Sequence, residues 1–171
     1  MTTPHIREAF ERNRKALELR GSIGQGTAVT RVRLREGLAC DVEDGPWRLT
    51  VDMSRKSGGS ESAPNPGVLG RAALGSCLAI GYSMWAAALG IPLSSLEVAI
   101  EADYDTRGEY GVDDVRPGYR EVRYIVTVGS SAPEADILRL LDTADRHSSY
   151  LAVFANPQPV RREVRIVATQ V

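Results

Sequence analysis

Two cysteines in 171 residues, Cys40 and Cys77, are too few for a disulfide-stapled secreted scaffold. Histidine is as scarce, with only His5 and His147, and no cysteine or histidine spacing matches a zinc pattern. No metal or cofactor is therefore expected. Lysine is almost absent; Lys15 and Lys56 are the only two, so arginine carries nearly all the positive charge. The formal net charge of −1 leaves no global field to draw in nucleic acid or an anionic membrane. An apolar signal segment is also lacking at the start, where PHIREAFERNRKALELR is charged throughout. The expectation is a cytoplasmic protein of one domain, or of two small lobes sharing one core.

What the chain does have is a long uncharged stretch from Ala72 to Ile91, AALGSCLAIGYSMWAAALGI, with Cys77 inside it. It is just long enough to span a bilayer. Its Ala, Gly and Ser content makes it weakly hydrophobic for a span, and a core helix is expected instead. A thiol inside such a helix is either inert packing or a reactive group held where water is scarce.

The rest of the pattern places this helix. Pro4 to Arg20 reads as a charged helix with Ile6, Phe10 and Leu17 or Leu19 on one side. Gly21 to Gly26 is a break. Thr27 to Glu36, Leu38 to Glu43 and Trp47 to Met53 read as an antiparallel meander, with Asp44-Gly45-Pro46 as a turn. In the first strand Arg31, Arg33 and Arg35 oppose Val32 and Leu34. The central helix should run from Pro66 to Leu89, with Asn65 as N-cap and Gly90 as stop. It is apolar nearly all round, so one chain's strands cannot enclose it and a second subunit is expected. Strands then follow over Leu96 to Tyr104 and Val122 to Val128, and a helix over Pro133 to Arg146. A helical extension over Ser148 to Ala155 and a last strand over Val160 to Thr169 complete the chain. This order is α+β, not a parallel Rossmann arrangement.

The run GGSESAPNPGVLGRAALGSCLA, a Gly-rich loop and an Asn-Pro step before a helix carrying Cys77, resembles the signature of the OsmC/Ohr family. These are the osmotically inducible and organic-hydroperoxide-resistance proteins. TRVRLREGL and the closing DTADRHSSYLAVFANPQPV fall where the family places comparable elements. The resemblance spans about residues 27–171. It divides the chain into an N-terminal helical extension (1–23) and an OsmC-like domain (24–171). That domain comprises a meander (27–54), the central helix (66–90) and a second α+β half (94–171).

The resemblance implies an intertwined homodimer, with antiparallel sheets wrapped around long central helices and active sites at the subunit interface. It implies a redox and stress-response role in which Cys77 attacks a peroxide oxygen and becomes a sulfenic acid. In the family a second cysteine, in a stretch resembling HCPV, then closes a disulfide; here Ser148 stands at that position. The glutamate that follows Asn-Pro in peroxidase members is replaced by Gly67. Two functions stay open. One is a single-cysteine, thiol-dependent peroxidase that reduces organic hydroperoxides through Cys77 with an external thiol reductant. The other is a non-catalytic protein that binds an apolar small molecule.

A peroxide-reactive cysteine must be substantially thiolate. Cys77 lies three turns into its helix, beyond the reach of the helix N-terminus, and burial alone raises a thiol's pKa. A cation is expected to offset that. The family uses an arginine; Arg31, Arg33, Arg35 and Arg55 are the candidates here, and Arg33 is preferred. His147 and the adjacent serines, Ser148 and Ser149, are expected to line the pocket. Cys40, remote from the family's second-cysteine position, reads as a small buried hydrophobe.

Overall fold

The computed structural model describes residues 4–167. Helix α1 (Pro4–Leu19) leads into a meander of β1 (Thr30–Leu34), β2 (Cys40–Asp44) and β3 (Trp47–Val51). The long helix α2 (Pro66–Leu89) follows, then β4 (Ser95–Tyr104), β5 (Tyr119–Gly129), α3 (Glu134–Asp145) and α4 (Ser149–Ala155). Both sheets are antiparallel, ordered β1-β2-β3 and β4-β5. The fold is thus α+β, and α2 starts and stops where the sequence indicates. Asn65 accepts a hydrogen bond from the Val68 N–H at 3.1 Å, and Gly90 ends the helix at a φ of 70°, a left-handed conformation that glycine adopts without strain.

One stripe of α2 is core. Leu74, Leu78 and Tyr82 recur every fourth residue and are buried with Ala144 of α3. Beneath them lie Leu96, Val98 and Ile100 of β4 and Val122, Tyr124 and Val126 of β5. These are the faces that alternation assigns to the two strands. The far end of α2 is closed by a second cluster of Ala86, Ile91, Leu93 and Leu140. The opposite face of α2 is open: Ile80 is 60% exposed.

The β1–β3 sheet packs chiefly on itself. Its charged face carries the arginines, with Arg33 3.1 Å from Glu43, Arg48 3.5 Å from Glu43 and Arg35 3.1 Å from Asp41. Its other face brings Val32, Val42 and Leu49 into register, with Trp47 and Leu34 flanking them. Trp47, Leu34, Val32 and Leu49 are all exposed.

Asp52 organises the loop that feeds α2. This buried carboxylate accepts hydrogen bonds from the N–H and hydroxyl of both Ser60 and Ser62, and from the Met53 N–H. The hydroxyl of Ser60 is the largest of the influences that hold its pKa far below the usual carboxylate range. Gly59 passes so close to Met53 that a Cβ would sit 2.0 Å from its carbonyl oxygen.

One expected element is missing. Residues 160–167 form no strand, and residues 168 and 169 of the expected span lie outside the described residues. Apolar alternation favours a strand, but a strand exists only where its backbone finds a ladder partner. This segment pairs with neither sheet, and Val160, Val164, Ile166 and Val167 stay exposed. The segment after α3 is also a separate helix, α4, because Ser148 caps it anew by accepting from the Leu151 N–H at 3.3 Å.

Candidate functional site around Cys77

Cys77 opens into a cavity of ≈ 500 Å³ between α2 and the α3–α4 turn. The α2 wall uses positions three and four apart, from Ala73 and Cys77 through Ile80, Gly81 and Met84 to Trp85. The other wall is Ala144 and the polar run His147, Ser148, Ser149 and Tyr150. The cavity is therefore mostly apolar, with its polar groups gathered beside the sulfur.

The sulfur sits 3.6 Å from the Ser148 hydroxyl and 3.7 Å from that of Ser149. Ser148 already accepts the Leu151 N–H, which leaves its own proton free to point at the sulfur. Burial is the largest single influence on the Cys77 thiol and pushes its pKa up. Hydrogen bonds from the Tyr150 N–H, the hydroxyls of Ser148 and Ser149 and the Ser149 N–H together outweigh it. The net result is a thiol more acidic than an ordinary cysteine. The field of α2 itself is too remote, as its length implies; the donors come from the first turn of α4.

The cation expected from the sequence is not among the lining residues. Arg33 is occupied with Glu43, Arg35 with Asp41, and Arg31 and Arg55 also lie outside the cavity. Within one chain, the groups that hydrogen-bond the sulfur are neutral N–H and O–H donors. Cys40 lies on β2, opposite Leu34 and Val51, and does not line the cavity. His147, Ser148 and Ser149 do line it, as expected. The His147 Nδ1 is 2.7 Å from the Thr143 carbonyl, which can only accept, so Nδ1 carries the hydrogen of that bond. Among the described residues, no cluster of three or more His, Cys, Asp or Glu could hold a metal ion.

The turn that presents these donors is pinned from below. Asp145, the last residue of α3, accepts hydrogen bonds from the Tyr82 hydroxyl at 2.6 Å and the Tyr124 hydroxyl at 2.8 Å. Burial, then the neighbouring Asp145, push the Tyr124 phenol up to about 12, and the deeper Tyr82 is raised further. Both therefore stay protonated as donors. The sequence does not single out Tyr82, Tyr150 or Trp85. A signal for the serines was present: two serines before the apolar run LAVFA form an N-cap pattern. Trp85 is eight residues beyond Cys77, on the same face of α2.

Comparison with known proteins agrees with this architecture. The sequence model of the OsmC-like protein family matches residues 58–163. The fold is similar to the crystal structure of an OsmC-like protein from Mycoplasma pneumoniae, with a TM-score of 0.67 at 15% identity, covering 77% of this chain and 89% of that one. It is also similar to an organic hydroperoxide resistance protein from Legionella pneumophila, with a TM-score of 0.57 at 17% identity, over 75% and 89% of the two chains. A third similar structure is an organic hydroperoxide resistance protein from Elizabethkingia anophelis, crystallised with bound thiocyanate. Its TM-score is 0.58 at 14% identity, over 75% of this chain and 87% of that one. No curated protein gives a significant match.

Proposed function

The chain belongs to the OsmC-like protein family, and from that membership we propose that it is a single-cysteine peroxidase that reduces organic hydroperoxides through Cys77. The observation that carries the proposal is the donor set around the sulfur. Tyr150, Ser149 and Ser148 lower the thiol's pKa in a mostly apolar cavity. A structural cysteine has no need of such donors, whereas a nucleophile requires them.

The reaction balances as follows. The Cys77 thiolate attacks the outer oxygen of ROOH. The O–O bond breaks, and the inner oxygen leaves as alkoxide and takes a proton to become ROH. Cys77 is left as a sulfenic acid, oxidised by two electrons. Ser148 cannot attack that sulfur to form a disulfide. An external thiol R′SH instead condenses with it, giving a mixed disulfide and water. A second R′SH then releases the Cys77 thiol and R′SSR′.

The unit proposed to do this is a homodimer. What supports it is the exposed apolar face of β1–β3, with Trp47 73% exposed, together with the open face of α2 around Ile80. Surfaces of that kind on a soluble chain mark association sites.

The test is turnover of an organic hydroperoxide with a small monothiol, monitored by alcohol release. Wild-type protein should turn over, and Cys77→Ser should not. Turnover that survives Cys77→Ser would remove the thiol mechanism. A second reading, a binding protein for an apolar small molecule, is favoured by the serine at position 148 and the apolar cavity wall. It predicts ligand binding that Cys77→Ser leaves intact, with no turnover by the wild type.

A further inference from the structure

The N-terminal helix lies outside the residues that match the family, yet it touches a residue of the cavity wall. Ile6, Ala9, Phe10 and Ala16 form the half-buried side of α1, which packs on α2. Phe10 meets the indole of Trp85 edge to face, with ring centroids 5.0 Å apart at 66°. The same indole also lies 4.8 Å from the His147 ring, tilted at 40°. The His147 ring is itself fixed by its bond to the Thr143 carbonyl. Trp85 thus contacts two rings, Phe10 edge to face and His147 at a tilt, and these contacts favour one indole orientation. Both Trp85 and His147 line the Cys77 cavity.

We propose that Trp85 is the end wall of this cavity and that Phe10 of α1 holds it there, so that the protein accepts compact organic hydroperoxides and excludes long linear ones. The proposal rests on the reading of Cys77 as the reactive group. Trp85 follows Cys77 by eight residues, which places the wall about 12 Å along the helix axis from the sulfur. Between them the floor is Ile80, Gly81 and Met84, apolar and without a charged group that would anchor a carboxylate. A hydroperoxide whose reactive oxygen reaches Cys77 can lay a short alkyl or aryl body along this floor. A longer chain meets the indole. In this account Trp85 sets specificity by touching the substrate, and Phe10 is a positioning residue that acts through Trp85.

The experiment uses the full chain and a readout that does not need turnover. Cys77 is alkylated with N-ethylmaleimide and, separately, N-decylmaleimide, both below aggregating concentrations. Peptide mass analysis separates labelling at Cys77 from labelling at Cys40. The measured quantity is the ratio of the decyl to the ethyl rate. Trp85→Ala should raise that ratio by roughly tenfold and Phe10→Ala by roughly threefold, the scale on which apolar pockets discriminate by size. Phe10→Tyr keeps the ring and should leave the ratio at its wild-type value, which a general loss of stability would not do. Should Trp85→Ala fail to fold, Trp85→Leu keeps an apolar side chain while shortening the wall, and should still raise the ratio. An unchanged or lowered ratio in the Trp85 variants would overturn the proposal, as would a Phe10→Tyr variant that behaves like Phe10→Ala. Failure of the redox reading shows up separately, as wild-type Cys77 that alkylates normally but takes no oxygen from a hydroperoxide.

Discussion

Ser148 performs two tasks that a pair of substitutions can separate. Its oxygen accepts the Leu151 N–H at 3.3 Å and so caps α4, and its hydroxyl lies 3.6 Å from the Cys77 sulfur. Ser148→Ala removes both. Loss of an N-cap costs about 1 kcal/mol, which in a chain of this size lowers Tm by about 2–4 °C. Loss of the hydroxyl removes one of the hydrogen bonds that outweigh burial, so the Cys77 pKa should rise. Ser148→Asp restores the cap, because aspartate caps as well as serine. It also places a carboxylate beside the thiolate, which raises the pKa of Cys77 through like charge. The assay is a pair of measurements on each variant: Tm by calorimetry, and the rate of iodoacetamide alkylation of Cys77 against pH. Ser148→Ala should lose stability and shift the alkylation profile to higher pH. Ser148→Asp should recover most of the stability and shift the profile at least as far. A profile that stays in place in both variants would refute the claim that Ser148 stabilises the thiolate. A Tm unchanged in Ser148→Ala would refute the cap.

Ser148→Cys returns a thiol to the place where an oxygen now sits 3.6 Å from the sulfur; hydroperoxide should then link position 148 to Cys77, and non-reducing peptide mapping should find that link. The same mapping on wild-type protein should find no Cys40–Cys77 disulfide, because Cys40 lies outside the cavity; its recovery in good yield would make Cys40 a resolving residue. Asp52→Asn should lower Tm, since its amide brings donors to a site already filled by donors from Ser60, Ser62 and Met53. The wild-type Asp52 pKa is depressed on folding, so its contribution is fully present above the ordinary carboxylate pKa of about 4 and is lost as pH falls toward the folded value. The Tm difference between the two proteins should therefore narrow in strong acid. Trp47→Glu with Leu49→Glu should convert the proposed homodimer to monomer in sedimentation, each buried apolar side chain being worth roughly 1.5–3 kcal/mol; a folded wild-type monomer at micromolar concentration would remove the dimer.

The elements that local chemistry determines could be read from the sequence. Asn65, Pro66 and Gly90 bracket α2, and alternation assigned Leu96, Val98 and Ile100 to the face that meets Leu74 and Leu78. The Cys77 position and the serine opposite it were legible for the same reason, as motif residues at fixed places in the order of elements. What escaped depends on contacts between distant segments. Nothing in Ser149 or Tyr150 alone shows that their N–H groups face a sulfur more than seventy residues away. The placement of Arg33 depends on distant segments in the same way. It alternates onto a charged face, as expected, and within one chain its side chain lies 3.1 Å from Glu43 of β2 rather than in the cavity. The strand expected over 160–169 had the right pattern, yet a pattern cannot supply the neighbour that completes a ladder. The Phe10–Trp85 contact joins the N-terminal helix to the cavity, a link that no motif signals.

The central claim is that Cys77 is a nucleophile toward peroxide oxygen. The most direct measurement is exposure of the reduced protein to one equivalent of an organic hydroperoxide in the presence of dimedone, followed by peptide mass analysis. The account predicts the dimedone adduct of a sulfenic acid on Cys77, formed faster than on Cys40 and absent from Cys77→Ser. Wild-type Cys77 that remains an unmodified thiol under excess hydroperoxide would contradict it.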